Sequence, residues 1–111
     1  MQKPRIYISG PISGHGKEEC KTRFKEAQQQ LETMGWEVFN PMENGLPFDA
    51  DTHRHMHRDL AELTNESRPF SAIYMMKKWT HSAGCKLEFD TATAIGLDVY
   101  FEGSYVIVKF S

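Results

Sequence analysis

Two segments far apart in the chain hold the residues best suited to chemistry. The first is Ile6-Tyr7-Ile8-Ser9-Gly10-Pro11-Ile12-Ser13-Gly14, an apolar run that passes straight into a Gly/Pro/Ser loop. The second is Trp79-Thr80-His81-Ser82-Ala83-Gly84-Cys85-Lys86-Leu87-Glu88, a Ser-x-Gly turn that leads into a helix and puts Glu88 in its first two turns. Backbone N–H groups at the opening of a helix attract anions such as phosphate. Residues 10–16 are therefore a candidate cradle for a phosphate or a sugar. They form neither a P-loop nor Gly-x-Gly-x-x-Gly, and a tight strand-to-helix turn would use similar residues. Near a helix start, Glu88 is expected to stay ionised in the field of the helix dipole, as a nucleophile must. Its plain alternative is an exposed helix glutamate. A single carboxylate aimed into such a pocket suits chemistry at a sugar carbon.

Other residues admit a chemical and a plain reading. Asp59, within Met56-His57-Arg58-Asp59-Leu60, is either the second carboxylate of an acid/nucleophile pair or part of a solvated helix face, paired with His55 or Arg58. Tyr7 is either a core tyrosine or a phenol that hydrogen-bonds a catalytic carboxylate and holds its orientation. His53-x-His55-x-His57 puts His53 and His57 on one helix face, as zinc-binding pairs can be. No third ligand is evident, so a solvated helix start is expected and no metal site. Cys85 would be a nucleophile only with a base beside it, and reads as a packing residue.

The elements that must position these groups follow from patterning. The chain has 111 residues, 40% hydrophobic and 25% charged, which suits one folded domain over residues 1–111. A net charge of -2 argues against a nucleic-acid partner, which asks for a basic face. No run of about 18 apolar residues is present, so no membrane helix is expected. Residues 1–5 enter a strand at once, so no signal peptide is expected. Cys20 and Cys85 then read as the reduced thiols of a cytoplasmic protein.

Residues 5–9 read as a strand. Residues 17–34 read as a helix with Cys20, Phe24, Ala27, Leu31 and Met34 on one face, ended by Gly35. Residues 36–39 form a strand stopped by Asn40-Pro41, and residues 42–52 a polar loop long enough to be a lid or a wall of the pocket. Residues 53–63 suit a helix with Met56, Leu60 and Leu63 inward, and the apolar run 70–76 suits a central strand. Residues 82–95 suit a helix with Leu87, Thr91, Ala94 and Ile95 inward, ended by Gly96. Residues 98–101 form a strand. After Gly103, residues 105–110 are expected to return as an antiparallel edge. The sum is an α/β three-layer sandwich, α/β/α, with a mostly parallel sheet of about four or five strands. Ligands of such sheets sit at the carboxyl ends of the strands, near the switch point. The loops after Ser9, Asn40 and Met76 would meet there.

Taken together, Tyr7-x-Ser9-Gly10-Pro11-Ile12, Gly35-Trp36-x-Val38-x-Asn40-Pro41, Asp59-Leu60, Ile73-Tyr74 and Trp79-x-x-Ser82-x-Gly84-x-x-x-Glu88 resemble the nucleoside 2-deoxyribosyltransferase-like superfamily, most of all its small bacterial and phage branch. The resemblance runs from Arg5 to about Phe101. It implies a flavodoxin-like (Rossmann-like) fold and cleavage of the N-glycosidic bond of a deoxyribonucleoside or its 5'-monophosphate, without cofactor or metal. It implies Glu88 as nucleophile, Asp59 as the group assisting the leaving base, and Tyr7 as their companion. It implies Gly10, Ser13, Gly14 and Ser82 around a 5'-phosphate. Ser9, Pro11, Ile12, Asn40, Trp79 and Gly84 complete the expected substrate site. It also implies a homodimer or larger assembly. The chain departs from the family pattern at Ser71, where relatives carry an Asp, and at Lys77-Lys78, where they tend to turn on Gly or Pro. Two expectations follow: an N-glycosidase or deoxyribosyltransferase, or a non-catalytic nucleotide- or nucleoside-binding module on the same fold.

Overall fold

The computed structural model describes residues 3–104 and 108–109. In chain order the elements are β1 (Arg5–Ser9), α1 (Lys17–Thr33), β2 (Glu37–Phe39), a short 3-10 turn (Pro41–Glu43), α2 (Thr52–Leu63), β3 (Ala72–Met75), a second 3-10 turn (Trp79–His81), α3 (Ala83–Ala94), β4 (Asp98–Phe101) and β5 (Val108–Lys109). The sheet runs in the order β2-β1-β3-β4-β5. The first four strands are parallel and β5 is antiparallel to β4. This is the flavodoxin-like strand order. Of the expected last strand, residues 105–107 and 110 lie outside the described residues, while Val108 and Lys109 pair with Val99 and Asp98 as an antiparallel edge.

The central strands are short and buried on both faces, which is why they read as unbroken apolar runs. Ile6, Ile8, Ala72, Tyr74 and Met76 face α1, which offers Cys20, Phe24, Ala27 and Leu31. Tyr7, Ile73, Met75 and Val99 face the other way, against Leu63 of α2 and Cys85 and Ala92 of α3. One helix on one face and two on the other complete the three layers. Gly35, at φ 100°, ends α1 as the sequence predicts. At Gly10 an added Cβ would lie 2.5 Å from Met76 Sδ and 3.0 Å from Phe24 Cζ, so no side chain fits between β1 and α1 there. No helix among the described residues is long and apolar enough to cross a membrane.

Two helix faces differ from expectation. Met34 is not on the inner stripe of α1; it is the residue after the last turn and is 63% exposed. The inner face of α3 is Cys85, Glu88 and Ala92, whereas Leu87 and Ile95 are 47% and 50% exposed. Ala94 is exposed as well, and Thr91 is half-buried. The reason is that α3 carries apolar residues around its whole circumference (Ala83, Leu87, Phe89 and Ala92 among them), so apolar spacing does not single out a face. The small side chains and one polar group decide it.

The departure at Lys77-Lys78 has a backbone counterpart. Lys78 is the one non-glycine among the described residues with positive φ, at 66°. A lysine held in this left-handed conformation is strained, and glycine is not. We therefore predict that Lys78→Gly stabilises the fold by roughly 0.5–1 kcal/mol, net of the added freedom of the unfolded chain. Urea unfolding at fixed pH measures this; a loss of stability would show that the Lys78 side chain contributes more than its backbone costs.

Candidate functional site

A cavity of about 630 Å³ opens beyond the carboxyl end of β1. It lies where the strand order reverses between β1 and β3, the place where such sheets bind ligands. The loop after β1 lines it with Gly10, Ile12, Ser13 and Gly14, and the start of α1 with Lys17 and Lys21. The segment after β2 forms a wall with Met42, Leu46, Pro47 and Phe48. Helix α2 contributes His55, Met56 and Asp59, and the start of α3 contributes Ser82, Gly84, Cys85 and Glu88.

Ser82 begins α3 by accepting the Cys85 N–H at 3.2 Å, an N-cap that a serine is suited to supply. Gly84 lets Met56 approach; a Cβ there would stand 3.2 Å from Met56 Sδ. This start turns Glu88 inward, where it is 6% exposed rather than a surface glutamate. The Tyr7 hydroxyl donates to Glu88 Oε2. The Ser9 hydroxyl donates to Glu88 Oε1 at 2.8 Å. Tyr7 and Ser9 are two apart on β1 and so share a face of the strand. The Tyr7 ring is fixed in turn, stacked on Phe39 at 5.2 Å and edge-on to Phe70 at 5.6 Å.

Burial governs the ionisation of these groups. It pushes the Glu88 carboxyl up to about 7, with Asp59 adding to the rise, against the two hydroxyl bonds that pull it down. The dipole of α3 does not keep Glu88 ionised as the sequence led us to expect. The residue lies past the first turn, where that field fades, and the loss of water outweighs it. The Tyr7 phenol is held well above its ordinary value by burial first and by Glu88 second, so it remains a donor. Asp59 is 6% exposed, not a solvated helix residue, and among the described residues it is in no ion pair. Burial pushes it up to about 6, while Asn44, His55 and Arg58 pull it down.

Of the residues singled out in the sequence, Gly10, Ile12, Ser13, Gly14, Asp59, Ser82, Gly84 and Glu88 line the cavity. Tyr7 and Ser9 lie beneath it and reach it through Glu88. Three are elsewhere. Pro11 is buried outside the lining. Asn40 caps the turn after β2, accepting the Met42 N–H and donating to Gln28. Trp79 stacks on Phe89 at 4.7 Å and packs with Phe101. Asn40 and Trp79 follow β2 and β3, where a cap or a core ring serves as well as a ligand contact. His53 and His57 are exposed, and among the described residues no three His, Cys, Asp or Glu side chains converge as metal ligands.

The description "Domain of unknown function (DUF4406)" matches residues 4–101. The chain belongs to this family. No curated protein and no solved structure matches the chain. The DUF4406 match spans every segment that builds the cavity and ends with β4.

Within this DUF4406 domain, sequence reasoning missed His15, Lys17, Lys21, Leu46 and His55 in the lining of the cavity, and Asn44, which is bonded to Asp59. Lys17 and Lys21 carried a usable signal: they are four apart on a helix that opens from a glycine-rich loop, so both reach the same side of it. Asn44 carried none beyond being polar in a loop, yet it is 5% exposed and bonded to Asp59.

Proposed function

We propose that the protein cleaves the N-glycosidic bond of a deoxyribonucleoside or its 5'-monophosphate through a covalent intermediate on Glu88. The observation that carries this reading is the seat of Glu88: a buried carboxyl, each oxygen held by a hydroxyl from one strand, at a cavity that Asp59 also lines. A Glu88 oxygen attacks C1' as the C1'–N bond breaks and its electron pair leaves with the base. Asp59 gives the departing nitrogen a proton. Water or a second base, giving up a proton to the Asp59 carboxylate, then attacks C1' from the face the first base left, and Glu88 departs as carboxylate. Two displacements give net retention, as in retaining glycosidases, whose paired carboxyls stand about 5 Å apart. Tyr7 and Ser9 keep the attacking carboxylate from rotating, which supplies orientation.

The departure at Ser71 takes nothing from this reading. Ser71 precedes β3, where its N–H bonds to the Arg5 carbonyl. That is the amino end of the sheet, and the cavity is at the carboxyl end. The cationic end of the cavity favours a phosphorylated substrate. Lys17 and Lys21 line it beside Ser13 and Gly14. The double variant Lys17→Ala/Lys21→Ala is predicted to raise KM for a deoxynucleoside 5'-monophosphate about tenfold to a hundredfold at low salt, with kcat little changed. KM for the matching nucleoside should not move. An equal rise for both would mean that the lysines hold the protein and not a phosphate.

The deciding experiment is chromatography of the purified protein with a panel of deoxynucleosides and deoxynucleoside 5'-monophosphates, with and without a second free base, alongside Glu88→Ala. Release of base that vanishes in the variant supports catalysis, and dependence on the acceptor base separates transfer from hydrolysis. Binding by both proteins with no release from any compound would sink the catalytic reading and leave a binding module.

A further inference from the structure

The wall of the cavity and the acid inside it are joined by one side chain. Asn44 lies in the loop after β2 and Asp59 on α2. Asn44 Nδ2 donates to Asp59 Oδ1 at 2.9 Å and lies 3.1 Å from His55 Nδ1. Asn44 Oδ1 accepts the Leu46 N–H at 3.0 Å. His55 Nε2 is 3.0 Å from the Pro47 carbonyl, and Arg58 Nε donates to the Asn44 carbonyl at 3.1 Å.

These contacts allow one arrangement of protons. A carbonyl only accepts, so His55 Nε2 must carry the hydrogen that faces Pro47. In the neutral ring Nδ1 is then bare and accepts from Asn44. The Asn44 amide cannot be turned over, because its oxygen would then face the Asp59 carboxyl and its NH₂ would face the Leu46 N–H. Both hydrogens of Nδ2 are thereby committed, one to each acceptor. Asp59 Oδ1 is occupied by a donor, which leaves Oδ2 as the oxygen to hold a proton.

Asp59 Oδ2 also reaches open space. Among the described residues, the only fully buried side-chain polar atom without a hydrogen bond is Arg5 Nε, which is 2.8 Å from Glu37 Oε2 at the far end of the sheet. Oδ2 has no hydrogen-bonding partner among these residues and is not such an atom, so it is accessible. Asp59 lines the cavity, and with Oδ1 held by Asn44, Oδ2 is the oxygen left to face it.

We infer that Asn44 is a positioning residue: it turns Asp59 so that Oδ1 is held against the wall and Oδ2 presents the acid proton to the cavity. His55 fixes the orientation of Asn44 and anchors the wall at Pro47. The wall and the placement of the proton are then held by the same side chain. The kinetic consequence rests on the glycosidase reading above; the proton placement does not. The charged groups that act on Asp59 are His55 and Arg58 from its own helix, and Asp59 in turn raises Glu88 on α3 and Tyr7 on β1.

The test has one readout without variants and two with them. Nitrogen-15 NMR of the wild-type protein at pH 8 should show His55 with Nδ1 bare and Nε2 protonated. The opposite tautomer would overturn the inference, because Asn44 could not then donate to both neighbours. Carbon-13 NMR of the Asp59 carboxyl should show its midpoint moving up by about one pH unit in folded Asn44→Ala, since a bond favouring the ionised form is lost. An unmoved midpoint would also overturn it. In turnover, Asn44→Ala should lower kcat about ten- to a hundredfold with KM within about threefold, and shift the optimum to higher pH. A loss of kcat with an unshifted optimum would reduce Asn44 to a structural role. If the wild-type protein turns over no substrate, the glycosidase reading fails, and the two NMR results still decide the placement of the proton.

Discussion

Glu88→Gln is expected to end base release and, at the same time, to make the protein harder to unfold at pH 8. The loss of activity should be at least about 10⁴-fold, because glutamine has the shape of the nucleophile without its charge. The gain in stability comes from the burial of Glu88. Its carboxyl titrates at about 7 in the fold, against an ordinary value of 4.5. Between those values the folded chain holds a proton that the unfolded chain has released. Stability from this group is therefore greatest below about pH 4.5 and is lost as pH rises through about 7. The size of the loss is on the order of 3 kcal/mol. Glutamine carries no charge to bury, and its amide can still meet the hydroxyls of Tyr7 and Ser9. Urea unfolding at pH 5 and pH 8 reads the effect. The two proteins should be close at pH 5 and separate at pH 8, with the variant the more stable. Parallel behaviour at both pH values would mean that Glu88 ionises without hindrance, and retained turnover would remove it as the nucleophile. An active site that costs stability in this way is common where function needs a strained or buried charge.

The second large effect is in the pH profile. Asp59 and Glu88 titrate at about 6 and about 7, and the Asp59 charge adds to the rise at Glu88. The values belong to the pair. The proposed chemistry needs one proton on the pair, with Glu88 ionised and Asp59 protonated; this is the minor of the two singly protonated forms, because Glu88 keeps its proton to the higher pH. A plot of kcat/KM against pH should therefore be a bell with limbs near 6 and 7 and its optimum between them. Asp59→Asn should lower kcat/KM by about 10²- to 10³-fold. It should also remove the alkaline limb, leaving a curve that rises as Glu88 ionises and then stays flat. A substrate whose base leaves well without a proton should lose less. A wild-type profile with a single rising limb would remove Asp59 as the acid.

Much of this molecule is legible in its sequence. The apolar runs at residues 5–9 and 70–76 give the central strands because parallel strands buried on both faces are apolar throughout. Gly35 and Gly96 give the helix ends, since both adopt positive φ, at 100° and 86°. The pairing of Tyr7 with Glu88 follows from a phenol at the carboxyl end of a central strand and a carboxylate at the start of a helix. What was not legible has physical reasons. The buried face of α3 is defined by packing against the sheet, and Leu87 and Ile95 match an inner stripe as well as Ala92 does. The state of Glu88 depends on how dry its seat is, which no spacing records. Asn44 matters through its neighbours in space, fifteen residues away along the chain at Asp59. Trp79 and Asn40 sit where ligands bind in such folds and are used for packing and capping.

The alternation along β1 has a consequence for how this gene can vary. Ile6 and Ile8 fill the core beneath α1, while Tyr7 and Ser9, between and beyond them, hold Glu88 on the other face. Insertion or deletion of a single codon within this pentapeptide would exchange the two sets. Isoleucines would face the carboxyl and hydroxyls would enter the apolar layer. Point changes in β1 can damage the seat or the core separately, but a frame-preserving length change damages both together. Residues 5–9 should therefore be the stretch of the domain least tolerant of length change in an insertion-and-deletion scan, with the outer face of α3 tolerating substitution most readily.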